Sequence, residues 1–327
     1  MNGYHVPMAD GRFDSRDPLD PLERLAGAAL AWRSFGVVLA AELAAAGIAT
    51  STVSRWRATA RLRPLRRGAY AFGPEPTDRR TRWLQRAAAE LGVAGCDAAL
   101  TGAAAAMVWT LDGFDEPGPI TVVVPRRRRA AGAQRRALLE PPEVVGGLRV
   151  TPIVDTLVDL GTVPARPRLR VDELVELALE DALRRHLVDI DTVAEQIATS
   201  PNNRTGAPAL REVLDRRPEG AVPTESYLET RGIQVLRNGG LGEAERQVEV
   251  HDADGFVGRV DQRLGGVYIE YDGYAHHRDR EIFVSDRRRW NRLAMAGCRL
   301  AVFSYDDVEG APQTLVDTLR ALARRSS

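Results

Sequence analysis

Hydrophobic and polar positions follow a helical period over residues 21–95, interrupted by one basic hairpin. The stretch "VVLAAELAAAGIATSTVSRWRATARLRPLRRGAYAF" predicts a helix that ends at Gly47, followed by a second helix capped by Thr50 or Ser51. A strand pair from Arg63 to Phe72 comes directly afterwards. This order of elements predicts a winged helix-turn-helix, a fold whose second helix enters the major groove of DNA.

The pattern changes to an alternation of helix and strand over residues 96–165. An alanine-rich helix from Ala99 to Trp109 precedes the strand "ITVVV" at Ile120, and "GLRVTPIVDTLVDLG" predicts a further strand and a short helix. From Val171 to Arg217 the apolar spacing is helical again, with a loop at "ATSPNNRTGAP". These segments predict an α/β middle domain followed by a helical connector.

The last part of the chain, after Pro223, combines helices with three neighbouring strands. A helix bearing Glu225 and Glu229 is predicted first. The strands are predicted near Ala244–Val250, Phe256–Leu264 and Val267–Asp272. An arginine-rich helix ending at Gly297, a strand "CRLAVF" and a final helix from Pro312 complete the pattern, which predicts α/β/α layers.

The chain of 327 residues, 44% of them hydrophobic, is long enough for several domains, and we expect an α/β multidomain protein. The predicted parts are a disordered tail at 1–20, a winged helix-turn-helix domain at 21–95, an α/β middle domain at 96–165, a helical connector at 166–217 and an α/β/α domain at 218–327. The polar, acidic tail has no apolar stretch, so we do not interpret it as a signal peptide.

The segment "GRVDQRLGGVYIEYDGYAHH" has a glycine pair between two alternating strands. If the glycines form a two-residue hairpin loop, Leu264 faces Val267, and the same register places Asp261 opposite Glu270. The alternation predicts an apolar face of Val260, Leu264, Val267, Ile269 and Tyr271. The opposite face is predicted to carry Arg259, Asp261, Arg263, Tyr268, Glu270 and Asp272.

Two carboxylates opposite each other on one sheet face, with Cβ atoms roughly 5 Å apart, repel each other. A positive group is therefore expected between Asp261 and Glu270. A divalent cation, Mg²⁺ or Mn²⁺, would meet this need, because hard cations prefer oxygen ligands. The alternative is a salt-bridge ladder in which Arg259 faces Asp272, although surface ion pairs contribute only about 0–1 kcal/mol.

Charge is balanced overall, with 45 acids and 45 bases, but residues 51–73 hold six arginines and no acid. This local excess favours binding to duplex DNA, and a solvated arginine face is the alternative. The residues predicted to contact DNA here are Ser54, Arg55, Arg57, Arg63, Arg66 and Arg67. The tract Arg126–Arg129 could also touch nucleic acid or be only solvated.

All 45 basic residues are arginine, which is most simply explained by GC-rich codon usage. The consequence is chemical, since arginine stays charged and binds phosphate in a bidentate fork. Only Cys96 and Cys298 occur, too few for a disulfide framework or a zinc site, which suits a reducing cytoplasm. Apolar runs are interrupted and too short for a membrane span.

Three C-terminal segments, "GRVD", "YIEYDGYAHH" and "FVSDRRRWNRLAMAGCRLAVFSYDDV", together resemble the very-short-patch-repair-like branch of the PD-(D/E)xK endonucleases over residues 218–327. The N-terminal half resembles the abortive-infection type IV antitoxin, and the pairing is similar to actinobacterial proteins that join both. The resemblance implies a restriction-endonuclease-like fold for the last domain, double-stranded DNA as a partner, and a cognate toxin as a second partner.

By position, Asp261 resembles the metal-binding aspartate of the endonucleases, Glu270 the second acid, and Glu225 the acid of the preceding helix. The third motif position departs from the pattern, because Asp272 stands where most of the superfamily has lysine. No lysine elsewhere in the chain can replace it.

The very-short-patch-repair-like branch uses histidines after this strand, which makes His277 the candidate general acid or base and His276 the second choice. Surface histidines without a role are the alternative. Arg287 and Arg289 on the next helix would hold the DNA backbone, or they form a solvated helix face. The apolar residues of that helix, Phe283, Trp290 and Leu293, are predicted to be core.

Two functions follow from these expectations. The first is a metal-dependent DNA endonuclease guided by an N-terminal DNA-binding module, with a role in phage defence. The second is an antitoxin-like transcriptional regulator whose nuclease fold has lost catalysis, which the missing lysine would permit. The pairing of Asp261 with Glu270 favours the enzyme.

Overall fold

The computed structural model describes residues 35–124, 134, 135, 138, 140–199, 204–253, 255–273 and 280–324. Within them the chain is a mixed α/β protein with three sheets. It divides into two compact units, Met1–Ala98 with Gly146–Leu148, and Ala99–Val145 with Arg149–Ser327. The predicted tail, the tract Arg126–Arg129, and both His276 and His277 lie outside the described residues.

The first unit contains a three-stranded sheet and three helices among its described residues. Its elements are β1 (Val37–Leu39), α1 (Ala40–Ala45), α2 (Thr50–Ala58), β2 (Leu62–Arg66), β3 (Ala69–Phe72) and α3 (Arg79–Ala94). The sheet order is β1-β3-β2, and Trp56 of α2 is buried against Leu43 and Leu62. Gly47, at φ +75°, makes the turn between α1 and α2. The prediction that Thr50 or Ser51 caps α2 is wrong, because Thr50 is already helical and Ala49 is the cap residue.

The second unit begins with a five-stranded sheet and two helices. Its elements are β4 (Ala99–Leu100), α4 (Ala103–Trp109), β5 (Val122–Val124), β6 (Gln134–Arg135), β7 (Glu143–Val145), β8 (Leu148–Val150) and α5 (Ile153–Leu160). The sheet order is β6-β5-β4-β8-β7. The helix expected from Ala99 begins at Ala103 instead, because Ala99 and Leu100 pair with β5 and Gly102 turns the chain at φ +55°.

Three helices follow: α6 (Val171–Arg184), α7 (Ile190–Thr199) and α8 (Ala207–Arg216). The first is buried along almost its whole length, including its acids Asp172, Glu173, Glu176, Glu180 and Asp181. Arginines from α8 and from the last part of the chain pair with several of these acids. A buried charge needs such partners, so α6 is a packed centre of this unit.

The last part of the chain forms a four-stranded sheet with helices on both faces. Its elements are α9 (Tyr227–Asn238), β9 (Glu245–Asp252), β10 (Gly255–Leu264), β11 (Val267–Asp272), α10 (Arg280–Met295), β12 (Arg299–Ser304), a π-helical turn (Asp306–Gly310) and α11 (Pro312–Arg324). The sheet order is β12-β11-β10-β9, with β12 parallel to β11 and the other pairs antiparallel. The predicted order of helices and strands is confirmed.

The hairpin register predicted from the glycine pair is also confirmed, since Leu264 pairs with Val267 and Gln262 with Ile269. Val267, Ile269 and Tyr271 pack in one core cluster with residues of α9 and α11. Val260 does not join them, and its predicted face is wrong. It packs instead with Val257 and Leu293 on the side of α10.

None of the described helices is long and apolar enough to cross a membrane.

Candidate functional site

An open cleft lies on the α10 face of the four-stranded sheet. Its walls come from the segment before α9, from β9, β10 and β11, and from α10. The lining residues are Glu225, Gln247, Glu249, Phe256, Arg259, Asp261, Glu270 and Arg289. Four carboxylates and two guanidinium groups therefore meet in one place, and this cleft is the candidate functional site.

Asp261 lies in the cleft with its carboxylate fixed by the backbone of β11. The regular pairing of β10 with β11 stops at Gln262, and Asp261 Oδ2 accepts the Tyr271 N–H at 2.7 Å. The alternation of β10 shifts at this residue, so that Val260 packs on the α10 side. Burial raises the pKa of Asp261, against the opposing effects of the Tyr271 hydrogen bond and the Arg289 charge.

Gln247 lies across from Asp261 on the neighbouring strand, between the pairs Val260–Val248 and Gln262–Arg246. It has a left-handed backbone at φ +51°, which costs roughly 1–3 kcal/mol in a residue other than glycine. Its Nε2 donates to Glu229 Oε2 at 2.7 Å. The strained backbone of Gln247, inside strand β9, therefore lies at the wall of the cleft.

Glu229, on the first turn of α9, lies behind the cleft and is only 5% exposed. Its Oε2 also accepts the Glu225 N–H at 2.9 Å. Burial, and then the negative charge of Asp261, raise the pKa of Glu229 to about 7. Burial is thus the first cause of the raised pKa of both Glu229 and Asp261.

Glu270 is 6% exposed and is bound by Arg289 of α10. Arg289 Nη1 and Nη2 each donate to one Glu270 oxygen at 2.8 Å, and Nη1 also donates to the Arg259 carbonyl at 3.0 Å. The arginine stem crosses Gly258, where a Cβ atom would lie 3.4 Å from Arg289 Cδ. The positive group expected between the facing acids is therefore supplied, at least toward Glu270, by Arg289.

The predicted salt-bridge ladder is not formed as expected. Arg259 makes its ion pair with Glu225 and not with Asp272, and Arg263 pairs with Glu245 at 2.6 Å. Asp272, the residue at the lysine position, is not among the residues that line the cleft.

The predicted place of Glu225 on a helix is wrong, although the residue does line the cleft. Ser226 accepts the Glu229 N–H at 3.1 Å and caps α9, so the helix begins at Tyr227 and Glu225 precedes it. Glu229 is the acid that the helix itself contributes.

The donor set of the cleft fits a divalent cation in its chemistry. Carboxylate oxygens are what Mg²⁺ and Mn²⁺ prefer, and four carboxylates line the cleft against two guanidinium groups. As the side chains stand, no three His, Cys, Asp or Glu of the described residues form a ready metal cluster. Binding a cation between Asp261 and Glu270 requires Arg289 to release at least one Glu270 oxygen.

Of the two arginines predicted to hold the DNA backbone, Arg289 points into the cleft, as described, and Arg287 is exposed with its guanidinium 4.5 Å from the Trp290 ring centroid. The prediction that apolar residues of this helix are core is confirmed for Leu293, which is fully buried with Val257 and Val260. It is also confirmed for Trp290, which packs against that cluster. The side chain of Phe283 lies outside the described residues.

The predicted DNA contacts of the first unit fall into two groups. Ser54, Arg55 and Arg57 are exposed on α2, and Arg67 is exposed in the hairpin turn. Arg63 Nη2 donates to Gln85 at 2.5 Å, and Arg66 pairs with Glu90, so both guanidinium groups are engaged with α3. The exposed group is the one available to a phosphate backbone.

The sequence analysis did not assign five residues to the site, although they line or support the cleft. They are Glu229, Gln247, Glu249, Phe256 and Arg259. Two signals could have located some of them. "SYLE" is a helix-capping pattern that places Glu229 in the first turn. The second hairpin, around Asp252 to Gly255, sets a register in which Glu249 pairs with Arg259.

No protein family model and no curated protein matches the chain. Among solved structures, a crystal structure of the Rv2827c protein from Mycobacterium tuberculosis is similar, with 18% sequence identity and a TM-score of 0.35. The similarity covers 73% of this chain and 90% of that chain. At this TM-score it carries no conclusion about function.

Proposed function

We propose that this protein is a metal-dependent DNA endonuclease whose catalytic site is the carboxylate cleft. The observation that carries the proposal is the convergence of Glu225, Glu249, Asp261 and Glu270 on one cleft that two arginines also line. In this proposal the last domain has the PD-(D/E)xK type of fold, and the carboxylates of the cleft bind Mg²⁺ or Mn²⁺.

Asp261 and Glu270 would hold the cation, which when bound polarises a phosphate oxygen and activates water for hydrolysis. Asp261 accepts the Tyr271 N–H, so its carboxylate keeps a fixed orientation in the cleft. Arg289, if released from one Glu270 oxygen, would place a permanent positive charge beside the phosphate. His276 and His277 remain candidates for proton transfer, and Asp272 remains without an assigned step.

The first unit would bind duplex DNA through a winged helix-turn-helix, with Ser54, Arg55 and Arg57 on the second helix and Arg67 in the wing. These side chains are exposed on one helix and one hairpin turn, as a DNA-binding surface requires. A role in phage defence would follow from cleavage of foreign DNA.

The test is incubation of supercoiled plasmid with the full chain in Mg²⁺, in Mn²⁺ and in EDTA. Nicked or linear product with either cation and none in EDTA is the expected result, because the proposed hydrolysis needs a cation held by the carboxylates of the cleft. Intact plasmid under all three conditions, on supercoiled and relaxed substrates, would oppose the proposal.

Replacing Arg55 and Arg57 together by glutamine should weaken duplex binding and flatten its salt dependence. Each lost phosphate contact reduces the log–log slope by roughly 0.9, so the double variant should lose about 1.8. Fluorescence anisotropy with a labelled duplex at several salt concentrations measures this. The control removes Arg80 and Arg86, two exposed arginines of α3, in the same way. Equal slopes for wild type and the α2 variant would show that these arginines only solvate the fold.

A second candidate function is supported by one specific observation. Arg289 binds both oxygens of Glu270, which closes the cleft to a cation in the arrangement that the chain adopts here. A regulator that binds DNA, with a cognate toxin as partner and no catalysis, would keep this Arg289–Glu270 ion pair permanently. Plasmid cleavage separates the two functions, since only the enzyme has to open this ion pair.

A further inference from the structure

Phe256 is the exception among the large apolar side chains around the cleft. It is 55% exposed, whereas Val257, next to it on β10, is buried in the core. It also lines the cleft, together with Asp261 and Glu270. Single exposed apolar side chains are common on protein surfaces, but this ring is exposed inside a cleft lined by acids and arginines.

The local backbone directs this ring outward. The pairing of β9 with β10 shifts between Phe256 and Gly258, and a bulge of this kind redirects side chains next to functional sites. His251, the cross-strand partner of Phe256, contacts the ring edge-on, with centroids 5.5 Å apart and an interplanar angle of 67°. Such a contact covers at most one face of the phenyl ring and steadies it.

An open aromatic face beside the proposed phosphate site matches the flat face of a nucleobase. Base stacking on aromatic side chains tolerates every sequence, because each base has a π-face. In an intact duplex both faces of a base are already stacked on its neighbours, and extrusion costs a few kcal/mol. The face of a base is accessible without that cost only in single-stranded or distorted DNA.

We infer that Phe256 is a stacking platform for an unpaired base next to the phosphate held in the cleft, so that the substrate class is single-stranded or locally unpaired DNA. This inference rests on the proposed function for the identity of the ligand. It adds to that function a substrate preference and a residue that determines it. Arg259, on the same strand, lines the same cleft. Its guanidinium group would bind the phosphate of that nucleotide.

The experiment measures binding without catalysis, in the full chain with Glu270 intact and with Ca²⁺ in place of Mg²⁺, so that the proposed metal site is kept and the substrate stays intact. Anisotropy of a labelled single-stranded oligonucleotide and of a blunt duplex of equal length is compared for Phe256, Phe256→Leu and Phe256→Tyr. Leucine keeps the apolar volume and removes the π-face, whereas tyrosine keeps the ring. Met295→Ala, which removes an exposed apolar side chain at the end of α10, is the control.

We expect Phe256→Leu to weaken single-strand binding by about 5- to 150-fold, with affinity restored in Phe256→Tyr and unchanged in Met295→Ala. Equal affinities for Phe256 and Phe256→Leu, or no binding of the single strand, would overturn the inference. If wild type cleaves no DNA but the Phe256-dependent binding is present, the stacking platform stands and the proposed catalysis fails.

Discussion

Replacing Glu270 by glutamine is expected to lower the rate of metal-dependent DNA cleavage by about 10³-fold, because a metal contributes several kcal/mol to the stabilisation of the transition state. Glutamine keeps the shape of the side chain and an oxygen for Arg289, but it removes the charge that the cation requires. Initial rates of plasmid nicking in Mg²⁺, at matched protein concentration, measure the effect.

The matched control is Glu245→Gln. Glu245 is also a strand residue bound by one arginine, Arg263, at 2.6 and 2.8 Å, yet it is 62% exposed at the side chain and does not line the cleft. Its substitution should leave the nicking rate unchanged. Similar losses in both variants would mean that Glu270 acts through the fold, and full activity of Glu270→Gln would exclude it as a metal ligand.

The second large effect is expected on stability, from Glu176→Ala in the buried helix α6. The Glu176 carboxylate accepts hydrogen bonds from Arg237 Nη1 and Nη2, each at 2.9 Å, from Arg216 at 3.2 Å and from Gln234 at 3.0 Å. The residue is only 4% exposed. Removing one member of a buried ion pair leaves the partner charges desolvated and costs about 3–5 kcal/mol. Urea unfolding followed by circular dichroism measures the loss.

Glu212→Ala is the control, because Glu212 also pairs with Arg216, at 3.6 Å, but its side chain is 64% exposed. An exposed pair contributes about 0–1 kcal/mol, so the unfolding midpoint should hardly move. Equal shifts for the two glutamates would show that burial of the α6 network adds nothing to the stability of this unit.

The order of elements in the last domain could be predicted because it depends on local signals. Gly265 and Gly266 fix a two-residue loop, at φ +53° and +82°, and the loop alone sets the register of Leu264 with Val267. Counting along the two strands from that loop brings Asp261 and Glu270 to the same level of the hairpin, and both residues line the cleft. The residues of the turn and the two-residue alternation of the strands are sufficient to predict this part of the site.

The rest of the site depends on departures from those local rules. Alternation could not predict that the Asp261 side chain accepts the Tyr271 N–H, or that Val260 faces the other side of the sheet. Arg289 comes from a helix on that face, and its stem crosses β10 at Gly258. Contacts between elements distant in sequence have no period, so the identity of the positive partner could not be derived.

Direct binding of Mn²⁺ tests, without any DNA, whether the cleft holds a divalent cation between Asp261 and Glu270. The sharp electron paramagnetic resonance spectrum of free Mn²⁺ disappears when the ion is bound by protein. Titrating Mn²⁺ into the full chain should show about one bound ion per molecule in wild type, and a strong loss of that binding in Asp261→Asn. Asparagine keeps the oxygen that accepts the Tyr271 N–H, so the fold of the cleft should survive. Wild type that leaves all Mn²⁺ free, or binding that is equal in wild type and Asp261→Asn, would contradict the proposed metal site.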